Sequence, residues 1–112
     1  MRLIKSTEQS LQAVSHDPGL QKRVLLGAGI VPAIAQLATT SIAPRMSTRS
    51  HVHPDMIEVF VILDGTAHAQ VAGAEILLQA GDCLVVEPGE THALVNVGAV
   101  DLRLLYFGAH AD

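Results

Sequence analysis

The sequence predicts an all-β protein, a sandwich or a barrel. From Lys22 onward the chain is a succession of short apolar runs rich in Val and Ile. Gly, Pro and Asp interrupt those runs at close intervals, and helical periodicity fades after about residue 20. Many short strands separated by tight turns bury their apolar faces most simply against one another.

The first element is different. Leu11 and Val14 stand three apart, Glu8 and Gln9 come early, and His16-Asp17-Pro18-Gly19 ends the segment, so residues 6–15 predict a short helix or turn-rich arm. The chain therefore divides into an N-terminal arm, 1–21, and a single barrel domain, 22–112. Strands are expected at 23–26, 33–40, 48–53, 58–63, 67–72, 75–79, 83–86, 92–96 and 102–107. Asp64-Gly65 and Ala72-Gly73-Ala74 supply the positive-φ positions of hairpin turns, and Ala80-Gly81-Asp82 and Pro88-Gly89 separate the later strands.

A chain of 112 residues that is 49% hydrophobic has enough apolar material for one core, and two would be poorly filled. A net charge of -4 and three aromatic residues without tryptophan offer neither the basic footprint nor the stacking platforms of nucleic-acid binding. The apolar stretch 24–38 is broken by Gly27, Gly29 and Pro32, too soon for a membrane span. No signal peptide is recognisable, and the lone Cys83 rules out an intrachain disulfide framework, so the cytoplasm is the expected setting.

Two segments concentrate metal-binding side chains: His51-x-His53-x4-Glu58-x6-Gly65, then Gly81-Asp82 followed by Gly89-x2-His92-x3-Asn96. Residues two apart on a strand share a face, so His51 and His53 can grip one ion. Pro54-Asp55 lets the chain reverse and brings Glu58 back beside them, at the head of the β-forming run Val59-Phe60-Val61-Ile62-Leu63. His92 opens another apolar strand. Three imidazoles and one carboxylate suit a single divalent ion among Fe, Mn, Ni, Zn, Co and Cu, and suit Ca or Mg poorly.

At those positions the sequence resembles the two motifs of the cupin superfamily, over about residues 44–96. His51, His53, Glu58 and Gly65 match the first motif, and Gly81, Asp82, Gly89, His92 and Asn96 the second. Arg45 stands where the first motif usually begins with Gly, and Glu87 stands at the usual Pro, with Pro88 one place later. The resemblance implies a jelly-roll barrel, a double-stranded β-helix, with the metal inside one end. It also implies a homodimer. It does not fix a reaction, because the superfamily spans dioxygenases, isomerases, decarboxylases, storage proteins and regulatory domains.

Around the four ligands the candidates carry alternatives. Arg49 shares parity with His51 and His53 and is either a cavity cation for a substrate carboxylate or a solvated rim residue. Arg45 has the same choice in a less certain register. Phe60, Ile62 and Leu94 are expected to line the pocket, with Leu84, Val86 and Leu104 completing an aliphatic wall. Tyr106 and His68 are the candidate proton donors; core packing for Tyr106, and a solvent face shared with Thr66 and Gln70 for His68, are the competing readings. Cys83 is expected as a small buried hydrophobe, His16 and His110 at the surface, and Gly65 and Asn96 in structural roles.

Three functions follow. The first is a metal-dependent, oxygenase-like enzyme acting on a small, moderately apolar molecule, since seven basic residues are few for a sugar nucleotide. The second is a non-catalytic binding or sensor module. The third is a metal-dependent lyase or isomerase.

Overall fold

The fold is described by a computed structural model over residues 1–14 and 17–111; Ser15, at the expected end of the arm, His16, expected at the surface, and Asp112 lie outside the described residues. A 3-10 helix at Ser6–Glu8 is followed by nine strands: β1 Leu11–Val14, β2 Asp17–Leu26, β3 Ile34–Ile42, β4 Met56–Asp64, β5 Thr66–Val71, β6 Ala74–Gln79, β7 Cys83–Val86, β8 His92–Asn96 and β9 Leu102–His110. They form two antiparallel sheets, β1-β2-β3-β9-β4-β7 and β6-β5-β8. The all-β jelly roll expected from the sequence is the fold observed.

Two segments differ from expectation. Leu11–Val14 is a strand paired with β2, so the N-terminal helix shrinks to one 3-10 turn. The junction expected at residues 21 and 22 falls inside β2. The spacing of Leu11 and Val14 reads as helical only while the hairpin partner is ignored; four residues are too few for either period to decide. The second segment is 48–53, which is no continuous strand. It runs antiparallel to β8 through isolated bridges, Ser47 with Val95 and His51 with His92. Four steps on one side oppose three on the other, so one residue is extra, and the Thr48 hydroxyl rather than a backbone carbonyl accepts the Leu94 N–H at 3.0 Å.

The core lies between the sheets. Ile42, Phe60, Ile62, Leu102 and Leu104 from the large sheet meet Ala67, Ala69, Val71, Leu78 and Leu94 from the small one. Strand alternation sets this, as inward Leu102 and Leu104 alternate with exposed Arg103. Asn96 is fully buried among them and ties three backbone groups: its amide donates to the Ile42 and Val100 carbonyls at 2.8 and 2.9 Å, and its oxygen accepts the Gly98 N–H at 2.9 Å. Gly65, with φ 90, sits where an added Cβ would lie 3.0 Å from the Asp101 oxygen and the Leu102 Cα, so both its conformation and its space demand glycine. Among the described residues no helix is long and apolar enough to cross a membrane.

Both departures from the motif have a structural reading. Arg45 adopts φ 70, in the left-handed region where a side chain is strained. Arg45→Gly is expected to stabilise the fold by about 0.5–1 kcal/mol, the strain relieved minus the glycine's greater chain entropy, read as a higher denaturant midpoint at unchanged slope. Glu87 donates its backbone N–H to the Glu90 carboxylate at 2.8 Å, a bond that proline could not make.

Candidate metal centre

Glu58 stands on the inner face of β4 and is 6% exposed. Across the large sheet it lies in one row with Gln36, Gly108 and Val86, each opposite the next. His92, at the start of β8 and 3% exposed, reaches the same point from the small sheet. His51 is joined to His92 by a pair of backbone bonds of 3.0 and 2.9 Å. His53 follows after Val52, and its carbonyl accepts the Gly89 N–H at 2.8 Å, which fastens the motif's two halves together.

The four side chains converge. The Nε2 atoms of His53, His92 and His51 lie 2.8, 3.0 and 3.8 Å from Glu58 Oε1, and one donor atom from each residue fits within a span of 4.8 Å. Two rings are oriented from behind. The Nδ1–H of His51 donates to the Arg49 carbonyl at 2.8 Å, and that of His92 to the Glu90 carbonyl at 3.0 Å. This fixes the tautomer that leaves Nε2 as the lone pair aimed inward. A lone pair facing a carboxylate oxygen is repulsive unless a proton or a cation sits between them, so this donor set fits a divalent ion.

The electrostatics agree. With a proton rather than an ion between ring and carboxylate, burial pushes the Glu58 carboxyl up, but hydrogen bonds from His51 and His92 and the charges of His53 and His92 outweigh it and hold the group at about 2. The hydrogen bond to Glu58 raises His51 above its ordinary value against the opposing effect of burial. Glu58 is therefore an anion throughout the neutral range and needs positive charge beside it.

A cavity of about 210 Å³ opens on the cluster, lined by His51, His53, Glu58, Met56, Tyr106 and Gly108 together with Val14, Lys22, Ala35 and Gln36. A smaller recess of about 50 Å³ beside it reaches Phe60, Leu94 and Leu104. Phe60 and Leu94 thus lie on the inner recess, whereas Ile62 is buried in the core and lines neither space. Arg49 is exposed outside the cavity, and its backbone N–H donates to Asp17. His68 is exposed on β5 together with Gln70, away from the cluster. Arg45 and His110 are exposed. Cys83 also differs from expectation: on the edge strand β7, Val86 is buried and Leu84 partly so, and the alternation leaves Cys83 exposed.

Tyr106 stacks on Phe60 with ring centroids 6.0 Å apart and borders both spaces. Burial, with the Glu58 charge nearby, pushes its phenol up to about 12. It is the chain's one tyrosine and there is no tryptophan, so phenolate absorbance reads it alone. Its midpoint should fall near 12 in the native protein and near the ordinary value of about 10 in denaturant. The unfolded chain loses this proton first, so its contribution to stability is complete below about pH 10 and disappears as pH rises towards 12. Tyr106→Phe should remove that part of the alkaline loss.

Sequence reasoning missed Lys22, Gln36, Met56 and Val14 as cavity residues. The signal for Lys22 was present: it alternates with Leu20 and Val24 between exposed Gln21 and Arg23, which places it on the inner face.

A jelly-roll barrel with three imidazoles and a carboxylate gathered at one end defines a class of metal-site β-barrels. The family model described as the cupin domain matches residues 38–108, and the chain belongs to that family. It is 30% identical over 95 residues to the tetracenomycin polyketide synthase protein TcmJ of Streptomyces glaucescens, covering 84% of this chain and 64% of that protein. It is 31% identical over 68 residues to an oxalate-binding protein of Thermotoga maritima, covering 61% of this chain and 56% of that one. The chain thus spans less than two thirds of the length of each. Among solved structures, a predicted oxalate decarboxylase of Thermotoga maritima superposes with a TM-score of 0.88 at 24% identity, covering 97% and 99% of the two chains. KdgF of Halomonas gives 0.80 at 18%, covering 100% and 96%. At these identities the structures establish the fold alone.

Proposed function

We propose that this cupin is a mononuclear metal-dependent enzyme, oxygenase-like, acting on a small organic molecule. The observation that carries the reading is the convergence of His51, His53, Glu58 and His92 on one point at the wall of a substrate-sized cavity. A divalent transition ion held there supplies a Lewis acid and, if redox-active, electrons for dioxygen. The chain supplies the rest. Carbonyls of Arg49 and Glu90 orient two of the ligand rings, Val14, Ala35 and Met56 offer apolar contact, and Tyr106 keeps a phenol proton available beside Glu58.

The test is oxygen uptake by protein loaded anaerobically with iron, manganese or nickel, in the presence of a panel of small acids and phenols. Uptake that depends on one ion and one panel member, and is lost in His92→Ala, is the expected result. Stoichiometric ion and tight binding of a panel member without turnover would instead establish a non-catalytic binding module. That second reading is favoured by the name of the oxalate-binding relative. With His68 outside the cavity, the lyase or isomerase alternative rests on Tyr106, and unchanged activity of that kind in Tyr106→Phe would remove it. The reading includes a cytoplasmic homodimer, and a monomeric mass in sedimentation at micromolar concentration would overturn the dimer.

A further inference from the structure

Among the described residues Lys22 is the one buried lysine or arginine, 6% exposed on the inner face of β2. A lysine is seldom so enclosed without a partner, because removing an ammonium from water is costly. Its Nζ donates to Gln36 Oε1 at 3.0 Å. No carboxylate among the described residues lies within 4.0 Å of it. An ammonium has three protons to give, and Gln36 takes one.

What Lys22 and Gln36 face is the cavity of the metal centre, which both line. Gln36 shares a sheet row with Glu58, separated from it by Gly108 alone. With its oxygen accepting from Lys22, the Gln36 amide keeps its two N–H groups as donors. Between the two ends the wall is apolar, and Met56 lies over Gly108, where an added Cβ would stand 2.3 Å from its sulfur. The cavity therefore has a cationic hydrogen-bonding end, an apolar middle and the four-ligand cluster. A divalent ion held by one carboxylate, with an ammonium across the same small space, leaves an excess of positive charge that an anion would neutralise.

We propose that Lys22, tethered by Gln36, is the specificity-determining residue of this cavity, and that its ligand is a small carboxylate whose charged group meets the Lys22 ammonium and the Gln36 amide. The apolar body of the acid lies against Val14, Ala35 and Met56. The inference rests on the reading of the cavity as the ligand site of the metal centre and adds the chemical class of that ligand.

Calorimetric titration of zinc-loaded protein with pyruvate and benzoate, beside the neutral pyruvamide and benzamide, tests it. At least one carboxylate should bind wild type, and Lys22→Met should weaken it about tenfold to a hundredfold, as loss of a charged hydrogen bond predicts. The amides should bind both proteins alike, and Lys22→Arg should recover most of the affinity. Should Lys22→Met fail to fold, the wild type still decides. Lys5 and Lys22 are the chain's lysines, so the NMR signals of labelled lysine are two, and only that of Lys22 should shift as the carboxylate is added.

Equal carboxylate affinity in wild type and Lys22→Met, or an unmoved Lys22 signal at saturation, would overturn the proposal, as would a wild type that binds neither acid. Metal content is measured separately. A wild type that holds zinc but shows no dependence on Lys22 overturns this inference and leaves the functional reading standing. A wild type that holds no metal overturns the functional reading, and the dependence on Lys22 is then read on the metal-free protein.

Discussion

Replacing His92 with alanine is expected to reduce bound transition metal from near one ion per chain to near none. His92 is the most enclosed of the four clustered side chains at 3% exposure, and its ring lies 3.0 Å from Glu58 Oε1. Loss of an outer-sphere partner alone typically costs about 10–100-fold in metal affinity, so removal of a ligand should cost about 100-fold or more. Elemental analysis of protein purified without chelator measures it, and competition against a chromophoric chelator gives the affinity. The substitution also leaves the buried Glu58 with one imidazole fewer, so the metal-free variant should unfold at lower denaturant than metal-free wild type. Full metal content in His92→Ala would mean that the cluster is not the metal site. The affinity should also fall as pH drops, because an imidazole that binds a proton at Nε2 cannot bind the ion.

The largest effect on stability is expected at Asn96. Asn96→Ala removes the donor for two carbonyls, Ile42 and Val100, and the acceptor for the Gly98 N–H, all within a fully buried environment. Each buried polar group left without a partner costs about 1–3 kcal/mol, and three that share one small region, partly relieved by entering water, suggest about 3–5 kcal/mol in total. For a domain of this size that is a large part of the whole stability. Denaturant unfolding of metal-free protein reads it without interference from ligand binding. Asn96→Asp should recover less than half, because a carboxylate cannot donate to the two carbonyls. A loss below about 1 kcal/mol in Asn96→Ala would show that water replaces the side chain at no cost.

Several of these features were legible in the chain. The spacing of His51, His53, Glu58 and His92 pointed to one ion because strand alternation is strictly local and Pro54-Asp55 marks the reversal that local rules require. Gly65, Gly81 and Gly89 marked turns, and each has φ near 90°. Asn96 was expected to tie down backbone groups, and it does. Most strand positions were recoverable for the same reason, since a period of two needs only a few residues to show itself.

What the sequence by itself determined, then, was the class of fold and the set of four side chains that could hold one metal ion, because both are written in short-range patterns of residue type. The tertiary structure decided the rest. Pairing with β2 made Leu11–Val14 a strand, and the extra residue opposite β8 turned the expected strand at 48–53 into an irregular edge. The pairing of β3 with β9 and of β9 with β4 put Gln36 in one row with Glu58, although 22 positions separate them in sequence. The pairing of β2 with β3 in the same sheet turned Lys22, an unremarked basic residue in an apolar strand, into a buried side chain on the cavity that His51, His53 and Glu58 also line. Arg49, with the parity of a ligand, was left outside for the same reason: alternation fixes the face on which a side chain lies, but which surface covers that face depends on partners distant in the chain.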